Sequence, residues 1–221
     1  VIDDAWLYDK GYFDRRGRDD WRREIAYQQE MERVTARVPG GKVLDVGCGV
    51  GSFLAKFGPE FQKFGIDPSR YASEQAQSKG IQMLSDIEDV SHGFFDLIIF
   101  RGTLQHISEP IHALACASRI LRSDGTLAIL ATPDTDSLVY KIFGDLPPLD
   151  LARNWVLFGH RMLGNILRKL NYYDIEISFP YWKTPYAQPF VDFSRFAISL
   201  LFGYRPFSFP GNMMEIFACH Q

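Results

Sequence analysis

The sequence is poor in cysteine, has no cationic surplus and contains no long apolar run, and each shortage removes a class of answer. Cys48, Cys116 and Cys219 are odd in number, far apart and in no CxxC pair. A disulfide framework and a zinc site readable from spacing are therefore both unexpected, and free thiols in a reducing, cytoplasmic compartment are the expectation. Lys and Arg total 24 against 27 Asp and Glu, a formal net charge of -3, so there is no basic excess to neutralise a nucleic-acid backbone. Arg15, Arg16, Arg18, Arg22 and Arg23 do cluster, but Asp14, Asp19, Asp20 and Glu24 interleave with them, as on a solvated face. The longest apolar stretch, Phe196 to Phe202, is far short of the roughly 20 residues needed to span a bilayer. No charged start followed by an apolar run and a small-residue cleavage site is present, so a removed export signal is not expected.

What is present is an apolar fraction of 46% in 221 residues, enough for one sizeable core. From Val43 onward, strand-like runs alternate with helical segments, which predicts an α/β fold with a mostly parallel sheet and helices on both faces. Strands are expected at Val43 to Val46, Lys63 to Ile66, Ile81 to Leu84, Leu97 to Phe100 and Leu127 to Ala131. Helices are expected near Ser52 to Phe57, Pro68 to Lys79 and Pro110 to Leu121, the last ending before a Ser123-Asp124-Gly125 turn. Further on come a helix near Arg161 to Leu170, a strand from Asp174 to Phe179 and a last strand from Met213 to Cys219. Residues 180 to 210 carry five prolines among many aromatics and read as an inserted loop with one short helix. Ahead of the sheet, Tyr27, Met31, Val34 and Val38 have helical spacing, while Trp6, Tyr8, Tyr12, Phe13 and Trp21 lie upstream, as in a helical appendage.

The segment Val43-Leu44-Asp45-Val46-Gly47-Cys48-Gly49-Val50-Gly51-Ser52 runs from a buried strand through a glycine turn toward a helix. Such a turn brings backbone N–H groups up to a ligand at the carboxyl end of a sheet. The spacing is GxGxG, and Ser52 stands where a dinucleotide fingerprint has its third glycine. Asp45, two residues before the first glycine, disfavours a pyrophosphate and suits the ammonium of an amino acid, which shifts the reading from a nicotinamide cofactor to an adenosyl amino acid. Asp67 follows the second strand, where a carboxylate can accept both ribose hydroxyls or cap a helix beginning at Pro68. Asp86 follows the third strand and can accept from an adenine amino group or open a Ser85-Asp86-Ile87-Glu88 capping box. Three carboxylates at successive strand ends, in that order, are more than capping alone would generate.

With Gly65-Ile66-Asp67-Pro68-Ser69, Phe95-Asp96-Leu97-Ile98-Ile99-Phe100 and Ile120-Leu121-Arg122-Ser123-Asp124-Gly125-Thr126-Leu127 added, the chain resembles the class I S-adenosylmethionine-dependent methyltransferases, strongly over residues 40 to 132. Within them it is most similar to the small-molecule group containing ubiquinone-pathway and bacterial sugar or polysaccharide O-methyltransferases. The resemblance implies a Rossmann-like seven-stranded sheet with an antiparallel last strand, residues 1–42 as an aromatic, helical cap and 43–221 as the methyltransferase domain, with 180–210 near the acceptor. It implies a cofactor site of Asp45, Gly47, Cys48, Gly49, Asp67, Pro68, Asp86, Ile87 and Arg101. The expected acceptor is a small molecule or glycan, with no nucleic acid and no integral membrane association.

The fourth strand empties into Arg101-Gly102-Thr103-Leu104-Gln105-His106, where class I enzymes face the sulfonium and the acceptor. An Asn/Asp-Pro-Pro-aromatic motif of amino-methylating members is not matched, and the acidic metal ligands of catechol-type members are missing, so metal-independent O-methylation is expected. His106 is the candidate general base, or else a structural wall of the cofactor pocket. His160 is a candidate acceptor-facing group or a plain helix-entry residue. Tyr8, Tyr12 and Phe13 resemble the aromatic N-terminal element that folds over the cofactor in relatives, or are packing anchors. Residues 180 to 210 read as a pocket wall for a sugar ring or lipid-linked acceptor or as a cover for the sheet edge, with membrane contact by Phe196 to Phe202 the weaker alternative. Two other functions stay open: a cofactor-binding subunit without catalysis, and a nicotinamide-dependent oxidoreductase.

Overall fold

A computed structural model describes residues 9–17, 21–150 and 152–221; of residues 14–17 only the backbone is described. The expectations attached to Trp6 and Tyr8 lie outside those residues. Two helices, α1 (Lys10–Gly17) and α2 (Trp21–Thr35), precede the first strand. There follow β1 (Gly41–Val46), β2 (Phe61–Ile66), α3 (Arg70–Gln77), β3 (Gln82–Met83), β4 (Phe95–Arg101), α4 (Pro110–Ile120), β5 (Leu121–Pro133), α5 (Leu138–Phe143), α6 (His160–Lys169), β6 (Tyr172–Ser178), α7 (Pro189–Phe202) and β7 (Met213–His220).

The seven strands form one sheet in the order β3-β2-β1-β4-β5-β7-β6. Strands β1 to β5 are mutually parallel, whereas β7 runs antiparallel to both β5 and β6. The strand order reverses between β1 and β4, which opens a crevice at their carboxyl ends.

Alternation of side chains along buried strands divides the interior into two cores. Leu44, Ile98, Phe100, Leu127 and Ile129 face one side and pack with Leu114, Ala117 and Ile120 of α4 and Leu163 and Leu167 of α6. Val43, Leu97, Ile99, Ala128 and Leu130 face the other and pack with Val34 of α2 and Ala76 of α3. Each fully buried Val, Leu, Ile or Phe among them contributes about 1.5–3 kcal/mol. Helix α2 is also pinned by ions: the Arg33 guanidinium donates to both oxygens of buried Glu215 on β7, at 2.9 and 2.5 Å.

Several local expectations change. Ser52 to Phe57 is not an α-helix; only a single turn of 3₁₀ helix, Leu54–Lys56, follows the glycine loop. Leu121 leaves α4 and begins β5, which bulges at the turn and regains register at Leu97↔Thr126, with Asp124 at φ 59°. The cap of α3 is Ser69, whose hydroxyl accepts from Ala72 N, rather than Asp67. The Ser85 to Glu88 capping box does not form: Asp86 Oδ1 accepts from Glu88 N in a turn with no helix behind it. Residues 180 to 210 hold not a short helix but the 14 residues of α7.

Candidate functional site

Where β1, β2 and β4 end, a cavity of about 640 Å³ opens beneath α1 and α2, a volume that suits a nucleoside-sized ligand. Its lining includes Tyr12, Phe13, Tyr27, Asp45, Gly47, Cys48, Gly49, Asp67, Pro68, Arg101, Thr103 and His106.

The glycine loop is tied to the end of β2. Gly47 and Cys48 both donate their N–H to the Ile66 carbonyl, at 2.7 and 3.1 Å, and Gly49 N donates to Asp67 Oδ2 at 2.8 Å. These N–H groups are consumed inside the protein, and no α-helix N-terminus follows them, so this loop does not offer the phosphate cradle that glycine turns often form. Gly47 is obligatory for two reasons. Its φ is +79°, and a Cβ there would lie 2.2 Å from Thr103 Cγ2.

Asp45 is 2% exposed and its Oδ1 has no hydrogen-bond partner. Burial pushes its carboxyl up to about 7; the Arg101 charge opposes the rise, and Asp67 and Glu30 add to it. Asp67 is also pushed up by burial, but Ser69 N and Gly49 N donate to its two oxygens and hold it back. Each oxygen keeps a spare lone pair. The Cys48 thiol is packed against Gly65, where a Cβ would approach to 2.6 Å, and burial drives it far above the usual thiol range. Cys48 is thus an inert wall.

Arg101 lines the cavity but is committed elsewhere. Its Nε donates to Glu30 Oε2 at 2.5 Å and its Nη2 to Glu30 Oε1 at 3.1 Å, while the guanidinium lies 4.2 Å from the Tyr27 ring centroid. This buried fork ties α2 to the end of β4. Glu30 was not foreseen as a site residue. Its signal was a carboxylate in the stripe Ala26, Glu30, Val34, at i, i+4 and i+8, all of them buried.

Chain reversal after β4 carries His106 to the cavity on a turn of 3₁₀ helix, Leu104–His106. His106 Nδ1 lies 2.9 Å from the Arg153 carbonyl, which can only accept, so Nδ1 carries the proton and Nε2 has the lone pair. The Gln105 amide lies 3.4 Å from Nε2. On the opposite wall Phe13 meets Tyr71 at 6.1 Å, and its Cε1 would be 3.3 Å from a Cβ on Gly49. Tyr12 lies under the Arg153 guanidinium at 5.5 Å. Helix α1 therefore covers the glycine loop.

Three expected site residues fall outside this lining. Asp86 is held in its own turn and Ile87 packs against the core, so neither borders the cavity. His160 is drawn away by Asp134, which accepts from its backbone N at 3.0 Å and pairs with its Nδ1 at 2.7 Å. Among the described residues, two groups combine potential metal ligands, Glu88 with His112 and Cys116, and Asp134 with Asp136 and His160. Neither shares a residue with the cavity. All three cysteines are free thiols.

Known proteins share this architecture. A SAM-dependent methyltransferase from Thermotoga maritima superposes with a TM-score of 0.69 at 21% identity, covering 98% of this chain and all of that one. In sequence, a tRNA U34 carboxymethyltransferase from Dichelobacter nodosus is 32% identical over 120 residues, 50% of this chain and 38% of that protein. A ubiquinone biosynthesis O-methyltransferase from Xanthomonas campestris is 31% identical over 111 residues, 44% of this chain and 46% of that protein. The chain spans about half the length of the curated relatives it matches. A methyltransferase-domain family matches residues 13–177, about three quarters of the sequence, and the chain belongs to that family.

Proposed function

We propose that the chain binds S-adenosylmethionine in this cavity and directs its methyl group to an oxygen of a small-molecule or glycan acceptor. The observation that carries the reading is the unpartnered Oδ1 of Asp45. A buried carboxylate oxygen with nothing to accept from is stabilised either by a proton or by a cationic or donating ligand, and the ammonium of the methionine moiety is such a ligand. Asp67 has lone pairs left for the ribose hydroxyls, and Phe13 and Pro68 offer apolar surface to a purine. With Asp86 and Ile87 away from the lining, the adenine is not assigned to them. Residues 1–42 act as the cap and 43–221 as the unit that binds and reacts.

Bound there, the cofactor supplies a methyl group already made electrophilic by its sulfonium. The chain contributes alignment and exclusion of water, with α1 covering the site. His106 Nε2 would take the proton of an acceptor hydroxyl to which the bound cofactor would supply the methyl group. The Nδ1–H bond to the Arg153 carbonyl orients the ring and leaves Nε2 as its basic nitrogen.

Calorimetry separates this reading from a nicotinamide enzyme: S-adenosylhomocysteine is expected to bind and NAD to give no heat. Asp67→Ala is expected to weaken S-adenosylhomocysteine by at least about 1 kcal/mol, because charge-assisted hydrogen bonds are lost; unchanged affinity would remove Asp67 from the ribose. His106→Ala is expected to lower turnover on a panel of hydroxylated acceptors at least about 100-fold while cofactor affinity moves little. The opposite split would make His106 a pocket wall. Wild-type protein that binds the cofactor but consumes none with any acceptor would favour a non-catalytic subunit.

A further inference from the structure

Helix α7 is built with its polarity reversed. The residues it turns inward, Asp192, Phe196 and Ser199, recur at i, i+4 and i+7, and two of the three are polar. Asp192 is buried and tied to its own segment: its Oδ2 accepts from the Tyr181 hydroxyl and from Gln188 N, both at 2.8 Å. Most of the residues turned outward are large and apolar. Phe190 is 93% exposed, Leu201 78% and Phe202 81%, and Phe193, Ile198 and Leu200 accompany them. A helix facing water carries the opposite pattern, and a contiguous apolar face of this extent marks a contact surface.

Charge says what kind of surface fits it. Between residues 180 and 210 the side chains charged at neutral pH are Lys183, Asp192, Arg195 and Arg205. The three cations are exposed, and the single acid is the buried Asp192. The segment thus presents only positive charge to its surroundings in a chain of formal net charge -3. Val191, Arg195, Ile198 and Phe202 lie on one helical stripe, so a cation is set within the apolar face. Exposed Trp182 and Tyr186 flank it with rings that are apolar at the body and polar at the tip. A second copy of the chain joined face to face would bring Arg195 and its neighbours against their own symmetry mates, with no acid in the segment free to pair with them. A layer of anionic headgroups over acyl chains meets both needs at once.

We propose that α7 and the turn before it seat the protein on the surface of an anionic lipid bilayer, with the apolar face in the acyl boundary and Lys183, Arg195 and Arg205 among the phosphates. The helix lies in the interface and does not cross it: 14 residues rise about 21 Å, and among the described residues no helix is long and apolar enough to span. Apolar insertion and headgroup attraction act together, so loss of either weakens attachment. The proposal does not depend on methyl transfer.

Co-sedimentation with vesicles of phosphatidylcholine alone and of phosphatidylcholine mixed with phosphatidylglycerol tests it. The protein is expected to sediment with the mixed vesicles, to be released by high salt and to stay in solution with phosphatidylcholine alone. Leu201→Glu together with Phe202→Glu is expected to reduce binding at least about tenfold, and Arg195→Gln about fivefold. These side chains are exposed, so unchanged melting temperatures serve as the folding control. Absence of sedimentation with the mixed vesicles would overturn the proposal, as would equal binding to both vesicle types. A dimer in light scattering that the Leu201 and Phe202 replacements dissolve would overturn it in favour of a second copy.

Discussion

Replacing Arg101 with alanine is expected to lower unfolding stability by about 3–5 kcal/mol, the cost of stranding a buried charge. Two carboxylates lose their counter-ion together. Glu30 loses both hydrogen bonds it receives from the guanidinium, and Asp45 loses the cation that opposes its desolvation. The Tyr27 ring also loses the flat cation lying over it. Denaturant unfolding at neutral pH measures the loss, and a deficit under about 1 kcal/mol would mean that water screens the pair. Adding Glu30→Gln to the Arg101 variant is expected to restore part of the stability, since the stranded charge is then gone. Lysine at 101 would keep the charge but not the fork, because one ammonium cannot reproduce two parallel donors.

Asp45→Asn is expected to strengthen the ligand-free fold and weaken the ligand. The folded carboxyl is pushed up to about 7, while its ordinary value is 3.8. Between these values the folded chain holds a proton that the unfolded chain releases. The stability this brings is complete below about pH 4 and is lost as pH rises through about 7, amounting to about 4 kcal/mol for the roughly three-unit difference. Asparagine carries no charge, so the variant is expected to melt higher than wild type above pH 7 and to lose the pH dependence due to this group. The ligand responds in the other direction. An ammonium needs the ionised carboxylate, so wild-type affinity for S-adenosylhomocysteine is expected to fall as pH drops below about 7. The variant is expected to bind about 30- to 150-fold more weakly at pH 8, corresponding to about 2–3 kcal/mol for a charged hydrogen bond. Melting curves and calorimetry at pH 6 and 8 test both statements. A variant that binds as well as wild type at pH 8 would detach Asp45 from the ammonium.

The two experiments bear on one arrangement. Asp45, Arg101 and Glu30 form a buried chain of charges in which the cation is shared, and Asp45, a lining residue of the cavity, keeps one oxygen without a partner. Stability is spent on a carboxylate that the fold itself would rather keep protonated. Such a conflict is expected at functional sites and is hard to explain elsewhere.

The sheet was legible from the sequence because its information is local. Runs such as Leu97 to Phe100 are too apolar for a surface, and Pro110 in the first turn of α4 sets where that helix starts. Strand boundaries shifted by a few residues, as at Leu121, because strand ends are set by pairing partners such as Phe95. Asp45 and Asp67, both of which line the cavity, were legible as candidates because one stands in the first strand two residues before the glycines and the other directly after the second strand. Asp86 follows the same rule, but β3 is only two residues long, and the chain beyond it turns on itself before reaching the cavity. The inward charges on α2 and α7 hide in another way. Glu30 and Asp192 look solvated in sequence, and only their partners, Arg101 and Tyr181, account for their burial.

By itself, then, the sequence determined the succession of the strands, the glycine turn and the carboxylates beside it, because periodicity and turn chemistry act over a few residues. Tertiary structure alone decided that the loop N–H groups are already taken, that Arg101 belongs to Glu30, that His160 belongs to Asp134, and that α7 shows its apolar face to the outside. Each of these depends on which groups meet across the fold, and a hydrogen bond or a desolvated charge has no signature in sequence until its partner is in place.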